Sequence, residues 1–291
     1  MKKFTIDLSD DLSNKLKGKV GVDAGASLTK ITFENQKKLV CVSFPTNSEA
    51  ILNFLKNVQT FQVNLTGGKA FEIYNKFCKG KKCNLLNEFE TEFKGIDVLF
   101  GFNKKEPPKK SLLASVGTGI SILYLNLEAS EKNFERVGGS ALGGGTFMGL
   151  IKLLFNMEDY EVAIDLAKKG NPYNVDLKVS DIYDDEDDRI DALFRQFTAS
   201  SLGKVAKYRD LRYFKEDVIN SIIALISENL ASQLILYAKN RNIKDIILSG
   251  GFLNGNFILK QVVSIICKLN GIKPYFLKYN DFVSAFGAIN L

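Results

Sequence analysis

Two apolar segments, each interrupted by a turn of glycines and hydroxyl residues, constrain the fold of this chain most strongly. The first runs from Val20 to Phe33 and reads VGVDAGASLTKITF, and the second runs from Leu112 to Leu125 and reads LLASVGTGISILYL. Apolar residues on both sides of a cluster of small residues predict a strand, a sharp turn and a second strand. The chain is therefore expected to contain two related hairpins, with a nucleotide held between two related halves.

The turns of both hairpins carry groups that suit a phosphate chain and its metal ion. Small residues allow backbone N–H groups and short hydroxyls to converge on one spot, and a carboxylate at a strand end can orient Mg²⁺ directly or through water. The candidate groups are Asp23, Gly25, Ser27, Thr29 and Lys30 in the first turn, and Gly117 and Gly119 in the second.

Strand and helix patterns alternate around the first hairpin. Residues 39–44 and 61–65 have strand patterns, while Lys69 to Lys79 and Glu88 to Leu99 have apolar residues at helical spacing. This alternation is typical of a layered α/β sheet. A loop from Gly101 to Lys110 contains two prolines and four lysines. It predicts a boundary between an N-terminal lobe, residues 1–110, and a C-terminal lobe, residues 111–291.

A further glycine-rich turn lies in the predicted C-terminal lobe. The run from Arg136 to Leu150 reads RVGGSALGGGTFMGL, and its consecutive glycines Gly143, Gly144 and Gly145 precede a helical pattern. The free N–H groups and the dipole of a helix start favour negative charge. We therefore expect these glycines to face nucleotide phosphates.

Later segments complete the predicted C-terminal lobe. Residues 215–239 form a long helical pattern that is apolar on more than one side, which predicts packing against another lobe or subunit. A strand over residues 245–248 runs into SGGFLNGN, where Gly250 and Gly251 would let an adenosine approach the backbone closely. Residues 282–291 predict a final helix that closes the fold and packs back on the N-terminal lobe.

Composition excludes several classes of function. The chain has no histidine, so Ser-His-Asp and Cys-His catalysis are excluded and the general base must be another residue type. The net charge of +6 is scattered, which argues against nucleic acid as a partner. The sequence shows no signal peptide at its start and no apolar run long enough to span a membrane, which predicts a cytoplasmic protein with reduced cysteines. The acidic run from Asp184 to Asp188 is interpreted as a solvated loop, with a Mg²⁺ cage as the alternative.

The ordered set of motifs resembles the acetate kinase/sugar kinase/heat-shock protein 70/actin superfamily and, within it, type II pantothenate kinase. The resemblance covers nearly the whole chain after Lys19. It rests on DAGASLTK, LTGG, NEFETEFKG, SVGTGIS, RVGGSALGGGTFMGL, DLKVSDIY, TASSLGK and GGFLNGN, which occur in this order. RVGGSALGGGTFMGL is the most specific of them.

The resemblance implies a fold and an activity. The expected fold is a two-lobed, actin-like (ribonuclease H-like) α/β ATPase with mixed sheets and a nucleotide in the cleft between the lobes. The expected reaction is the ATP- and Mg²⁺-dependent phosphorylation of pantothenate to phosphopantothenate, which opens coenzyme A biosynthesis. A homodimer with the long helix at its interface, and feedback inhibition by acyl-CoA, are also implied.

The resemblance also assigns residues. Glu88 is the implied general base for the hydroxyl of pantothenate, and Arg136 is the implied clamp for pantothenate, with Ser121 and Thr118 beside it. Glu88 begins a helical pattern, so the alternative is an ordinary first-turn acid stabilised by the helix dipole. For Arg136 the alternative is an exposed arginine at a strand end.

Three residues depart from the family pattern: Ala26 and Ser284 replace usual glycines, and Ser115 replaces a usual asparagine. The Cβ of Ala26 is harmless if its φ is negative and costly if its φ is positive. These departures leave two alternatives open. One is a related kinase that acts on an amino sugar, and the other is a catalytically weak regulatory subunit that binds nucleotide or acyl-CoA.

Overall fold

The computed structural model describes residues 1–58, 60–78, 82–128, 132–184 and 186–291. Contacts between Cα atoms group this part of the chain into two units. The first unit comprises Met1–Gly139, Asp245–Gly251 and Tyr275–Leu291, and the second comprises Ser140–Lys244 and Phe252–Pro274. These units are defined by contacts alone, and the predicted division into ligand-binding lobes between residues 110 and 111 stays a prediction.

The described residues form strands and helices in an alternating order. The strands are β1 (Lys2–Asp7), β2 (Lys19–Ala24), β3 (Leu28–Asn35), β4 (Lys38–Pro45), β5 (Gln62–Thr66), β6 (Cys83–Leu85), β7 (Lys110–Val116), β8 (Ile120–Asn126), β9 (Asn133–Ser140), β10 (Leu177–Lys178), β11 (Thr198–Ser200), β12 (Asp245–Ser249) and β13 (Lys273–Phe276). The helices are α1 (Asp10–Leu16), α2 (Ser48–Asn57), α3 (Ala70–Phe77), α4 (Glu88–Phe102), α5 (Gly144–Phe155), α6 (Tyr160–Ala167), α7 (Gly203–Lys207), α8 (Lys215–Asn240), α9 (Phe257–Leu269) and α10 (Val283–Asn290).

The first unit contains a mixed six-stranded sheet with the order β1-β4-β3-β2-β5-β6. Strands β2 and β3 are antiparallel neighbours, which confirms the first predicted hairpin, and β5 runs parallel to β2. The hydrophobic residues Val22, Ile31 and Leu65 are fully buried in one core cluster of this unit. The strand ends that carry the predicted phosphate-binding residues are therefore supported by a packed hydrophobic core.

A second mixed sheet has the order β13-β12-β7-β8-β9. Strands β7 and β8 are antiparallel, which confirms the second predicted hairpin, and β12 runs parallel to β7. The register pairs Ser115 with Ser121 across the hairpin and with Ser249 on β12. Three hydroxyl side chains are thus brought to neighbouring positions at one end of this sheet.

Helices α4 and α10 of the first unit approach until their backbones touch. A Cβ added to Gly287 would lie 1.7 Å from the carbonyl oxygen of Thr91, and one added to Gly95 would lie 1.9 Å from that of Val283. Helix α10 also lies against β2, where a Cβ on Gly21 would lie 2.4 Å from the Ala285 carbonyl oxygen. Helix α4, whose first residue is Glu88, is therefore held at a defined distance from β2.

The structure corrects the expectation of reduced cysteines at one pair. Cys78 and Cys83 form a disulfide with a Cα–Cα separation of 5.7 Å, whereas Cys41 and Cys267 are free and buried. The end of α3 and the start of β6 lie close together, with the two Cα atoms within disulfide range. Lys79, the predicted end of the preceding helix, lies outside the described residues.

The second unit is built around α8. Its buried residues pack against α5, α6 and α9, and Asn220 Nδ2 donates to the carbonyl oxygens of Ala167 and Gly170, each at 3.0 Å. The structure differs from the expectation of no apolar run long enough to span a membrane. Among the described residues, α8 is the one helix long and apolar enough, and 67% of its most apolar window is buried. A buried core helix has the same length and composition, so this is weak evidence for a membrane span. The predicted role of this helix in a dimer interface stays a prediction.

The contact between α4 and α10 generates a stability prediction. Gly287→Ala is expected to lower the free energy of unfolding by about 1–3 kcal/mol or more, because the added Cβ overlaps the Thr91 carbonyl. Gly101→Ala on α4 is the control, because nothing lies within 4 Å of the added Cβ there. That change is expected to be neutral or stabilising, since alanine favours helix. Urea unfolding measures both variants, and equal effects would contradict the close contact.

Candidate functional site

The two predicted phosphate turns meet in the first unit. Ser27, in the turn between β2 and β3, and Thr118, in the turn between β7 and β8, place their hydroxyl oxygens 2.9 Å apart. Both hydroxyls are exposed, so this hydrogen bond faces solvent. Hydroxyls from turns 91 residues apart in the chain therefore form one polar surface.

Asp23 and Lys30 form an ion pair beside this surface. They are cross-strand partners on β2 and β3, and Lys30 Nζ lies 3.1 Å from Asp23 Oδ2, with side chains 12% and 9% exposed. Burial by itself would lower the pKa of Lys30, but the charge and hydrogen bond of Asp23, followed by the charges of Asp281 and Glu88, outweigh it and raise that pKa. Lys30 is therefore a fixed positive charge next to a buried carboxylate.

Gly67 leaves the space that Asp23 occupies. This glycine follows β5 with a φ of +92°, and an added Cβ would lie 2.7 Å from both Asp23 Oδ1 and the Ala24 carbonyl oxygen. A side chain at this position would be strained and would also displace the carboxylate. The LTGG motif thus has a geometric role, although sequence alone assigned no function to Gly67.

Thr29 is fully buried, and its hydroxyl forms a hydrogen bond with a residue at the end of the neighbouring strand β4. Thr29 Oγ1 lies 3.0 Å from Thr46 Oγ1, and Thr46 Oγ1 donates to the Gly25 carbonyl oxygen at 2.8 Å. Thr46 was missed in the sequence because a single threonine after β4 carries no distinguishing pattern. The contact braces the first turn, and the assignment of Thr29 to the phosphates stays a prediction.

Ala26 meets the condition under which its Cβ is harmless. It is not among the residues that the structure holds at positive φ. The alanine therefore introduces no left-handed strain into the first turn.

Glu88 is the first residue of α4. The Asn87 side chain caps this helix by accepting hydrogen bonds from the backbone N–H groups of Phe89 and Glu90 at 2.9 and 3.2 Å. Although Glu88 is exposed as a residue, the protein around its carboxyl and the negative charge of Asp23 raise its pKa, against a smaller lowering by Lys30. A carboxylate whose proton affinity is raised is a better general base.

Arg136 lies near the start of the same helix. It is an exposed residue of β9, and its guanidinium carbon lies 5.8 Å from the centre of the Phe89 ring. The ring helps to orient the guanidinium without occupying its N–H donors. Arg136 and Glu88 are therefore brought to the same region of the first unit.

Ser121 has a buried hydroxyl oxygen for which the described residues provide no hydrogen-bond partner. It stands on β8 opposite Ser115, four residues after Gly117, where the second glycine-rich turn begins. An unsatisfied buried hydroxyl is costly, so a ligand or water that hydrogen-bonds to it would be stabilised there.

Gly250 packs directly against the base of the second turn. Its φ is +109°, and an added Cβ would lie 2.4 Å from the carbonyl oxygen of Val116. The turn is closed by Gly117, whose N–H donates to the Gly119 carbonyl oxygen at 2.9 Å. Gly251 has space for a side chain, because the atom nearest to its added Cβ is Leu28 Cδ1 at 3.4 Å. The backbone needs glycine at position 250, whereas the predicted adenosine contact at both positions stays a prediction.

Gly143, Gly144 and Gly145 lie in the second unit. Gly143 is the N-cap of α5 and provides no side-chain cap, while Thr146 Oγ1 donates to the Ala141 carbonyl oxygen at 2.5 Å. The start of this helix therefore keeps backbone N–H groups without a side-chain acceptor, as an anion site requires.

Glu92 is a buried carboxyl that the sequence did not assign. It is 4% exposed, and its Oε1 accepts a hydrogen bond from Ser115 Oγ. The available signal was its position four residues after Glu88, which puts both side chains on one face of α4.

The donors near Asp23 fit a magnesium ion bound mainly by a nucleotide. Among the described residues, no group of three or more acidic or cysteine side chains forms a metal cage, and Asp185 of the acidic run lies outside them. One carboxylate completed by phosphate oxygens and waters is a common ligand set for Mg²⁺.

The chain matches known proteins along most of its length. The family model described as Fumble matches residues 8–290. A type II pantothenate kinase of Bacillus thuringiensis subsp. konkukian is 33% identical over 273 residues, which cover 93% of this chain and 96% of that protein. A type II pantothenate kinase of Staphylococcus saprophyticus is 32% identical over 94% of this chain and 100% of that protein.

The fold matches a solved sugar kinase. The glucokinase of Balamuthia mandrillaris, solved in complex with glucose, has a TM-score of 0.52 and 12% identity over 97% of this chain and 99% of that chain. At this identity the match shows the fold alone. It confirms the predicted actin-like α/β fold with mixed sheets.

The ion pair of Asp23 and Lys30 generates a second stability prediction. Lys30→Met leaves the Asp23 carboxylate buried without its cation, so the free energy of unfolding is expected to fall by about 3–5 kcal/mol. Lys132→Met is the control, because Lys132 and Asp97 form a pair whose side chains are 49% and 53% exposed. That pair is expected to contribute little.

The test is denaturant unfolding at neutral pH of both single variants and of Lys30→Met combined with Asp23→Asn. Removing both charges is expected to restore much of the lost stability. If Lys30→Met lowered the free energy of unfolding equally in the wild-type and Asp23→Asn backgrounds, the coupling between Lys30 and Asp23 would be contradicted.

Proposed function

This chain belongs to the Fumble family of type II pantothenate kinases, and we propose that the polar surface of its first unit carries the phosphoryl transfer. The chain is an ATP-dependent phosphotransferase that converts pantothenate to phosphopantothenate, the first step of coenzyme A biosynthesis. The observation that supports this location best is the hydrogen bond of 2.9 Å between Ser27 and Thr118, which joins the two phosphate turns.

Glu88 is the proposed general base. It accepts the proton of the primary hydroxyl of pantothenate while the hydroxyl oxygen attacks the γ-phosphorus and the bond to ADP breaks. The raised pKa of Glu88 favours this proton transfer. The position of Glu88 at the start of α4 gives it access to solvent and substrate.

Lys30 and the turn residues compensate phosphate charge in this proposal. Phosphoryl transfer depends mainly on positioning and on electrostatic stabilisation. Lys30 supplies a fixed positive charge, while Ser27 and the backbone of Gly25, Gly117 and Gly119 supply hydrogen bonds. Mg²⁺, held by Asp23 directly or through water, would neutralise charge on the β- and γ-phosphates.

The remaining assignments concern recognition. Arg136 binds the carboxylate of pantothenate, and Ser121 and Thr118 bind its polar groups. The unsatisfied hydroxyl of Ser121 supports a ligand at that point. Thr29, Gly250, Gly251, Gly143, Gly144 and Gly145 are proposed nucleotide contacts.

Neither alternative function is favoured. The similarity to a glucokinase shows the fold alone, whereas curated type II pantothenate kinases are similar over nearly the whole chain. The Ala26 departure, which suggested a weak regulatory subunit, introduces no backbone strain.

The assembly and location of the protein belong to the proposal as well. A homodimer, inhibition by acyl-CoA and a cytoplasmic location follow from the family resemblance. A cytoplasmic location would favour the reduced form of the Cys78–Cys83 pair. The mass of a single chain in solution at micromolar concentration would contradict the dimer.

The reaction and its base are tested together by Glu88→Gln. Wild-type protein is expected to consume ATP only with pantothenate and Mg²⁺, and Glu88→Gln is expected to lower kcat by about 10²–10⁴-fold with KM for pantothenate little changed. Glu90→Gln, the same change two residues along α4, is the control and should keep wild-type turnover. The measurement is ADP release with pantothenate or with amino sugars as acceptor.

Two outcomes of this assay would contradict the proposal. Preference for a sugar over pantothenate would overturn the substrate, and full activity of Glu88→Gln would overturn the base. For wild type, the rate should fall as the pH drops through the raised pKa of Glu88, because the base must be ionised.

Arg136 is tested with a matched pair of substrates. Arg136→Gln is expected to raise KM for pantothenate by about 10-fold or more, since a hydrogen-bonded charge pair is lost. The alcohol analogue of pantothenate, which has CH₂OH in place of the carboxylate, should show little difference between wild type and variant. An equal loss for both substrates would show that Arg136 does not bind the carboxylate.

A further inference from the structure

Glu92 lies inside the first unit, one helical turn beyond the proposed base. The residue is 4% exposed, and its Oε1 accepts a hydrogen bond from Ser115 Oγ. Ser115 Oγ is in turn 2.9 Å from Ser249 Oγ. Oε2 is buried, and the described residues offer it no hydrogen-bond partner. The carboxyl is therefore held by a neutral hydroxyl rather than by a cation.

The two serines connect Glu92 to both glycine-rich segments. Ser115 and Ser249 are register partners near the ends of the parallel strands β7 and β12. Ser115 precedes the second phosphate turn by two residues, and Ser249 directly precedes Gly250. A side chain from α4 thus reaches the point from which the phosphate turn and the Gly250 segment both start.

The charges around Glu92 come from three elements. Burial contributes most to raising its pKa, the hydrogen bond from Ser115 opposes it, and the negative charges of Glu88 and Asp23 raise it further against a smaller lowering by Lys30. The pKa of Glu92 is raised from an ordinary value of 4.5 to about 8. An ionised carboxyl in this place would stand near two other carboxylates with one lysine to compensate them.

We propose that Glu92 is a positioning residue for phosphoryl transfer: as a neutral acid it joins α4 to the ends of β7 and β12 and so sets the place of Glu88. This inference rests on the proposed function. The neutral form lowers the cost of this burial, because a protonated carboxyl carries no charge that must be compensated.

Loss of the proton from Glu92 has a defined consequence for the reaction. A negative charge one helical turn from Glu88, added to the charge of Asp23, repels the anionic nucleotide and so opposes its binding. Wild-type kcat/KM is therefore expected to fall on the alkaline side as Glu92 ionises, with a midpoint near the pKa of about 8.

The kinetic test is Glu92→Gln, which keeps the shape and hydrogen bonds of the neutral acid but cannot ionise. We expect this variant to keep turnover near neutral pH within a few-fold of wild type and to lose the alkaline decline. Glu90→Gln, on the same helix, should keep the wild-type pH profile. An unchanged alkaline decline in Glu92→Gln would overturn the proposal.

A second test does not depend on activity. Because the folded protein holds a proton on Glu92 that the unfolded chain releases above 4.5, wild type loses stability from about pH 4.5 to 8, and the loss levels off above that window. Glu92→Gln lacks this loss. Its urea midpoint should therefore rise relative to wild type between pH 5 and 8 and keep a constant difference above pH 8.

The two tests separate the failure of this inference from the failure of the proposed function. If the difference in urea midpoint between Glu92→Gln and wild type did not depend on pH, the conclusion that Glu92 holds a proton would be wrong, whatever the activity. A wild-type chain that shows the pH-dependent difference but no pantothenate-dependent turnover would overturn the proposed function and retain the proton on Glu92.

Discussion

The backbone contact between α4 and α10 is the constraint on which the candidate site of the first unit depends. Gly95 and Gly287 allow the two helices to touch, and α10 is tied to the first sheet, where Thr32 Oγ1 donates to the Ala285 carbonyl oxygen at 3.1 Å. Asn64 Nδ2 adds a hydrogen bond of 2.6 Å to the Ala288 carbonyl oxygen. A chain of close contacts thus runs from the sheet that carries Asp23 to the helix that carries Glu88. Since protein interiors are close-packed and deform little, this chain sets the separation of the two carboxyls.

Charge compensation within this packed frame is uneven. Lys30 is paired with Asp23, whereas Glu88 and Glu92 face the same region without an ion-pair partner of their own among the salt bridges of the described chain. The pKa of each of these two glutamates is accordingly raised, and the more deeply buried Glu92 is affected more. One helix thereby carries two carboxyls with raised pKa values, one at its exposed start and one buried a turn further in. Environments that separate the pKa values of neighbouring acids are typical of sites that move protons.

Much of the secondary structure in both units could be predicted from local patterns. Both hairpins, the long α8 and the start of α4 at Glu88 follow from apolar periodicity and from the capping residue Asn87, which are properties of neighbouring residues. Thr46, Ser249 and Glu92 could not be predicted in the same way. Each acquires its role from a residue on another element, as Glu92 does from Ser115 23 positions away. The Cys78–Cys83 bond was missed because composition suggested the compartment, whereas geometry decides which sulfurs meet.

The sequence by itself determined the elements, the order of the glycine-rich turns and the absence of histidine, which restricts the general base to other residue types. It also determined the family, because ordered motifs persist along the whole chain. Only the tertiary structure decided that Ser27 meets Thr118, that Thr29 is braced by Thr46 and that Glu92 lies buried against Ser115. The physical reason is that burial and electrostatic environment depend on distances between residues that are remote in the chain, and packing alone sets those distances.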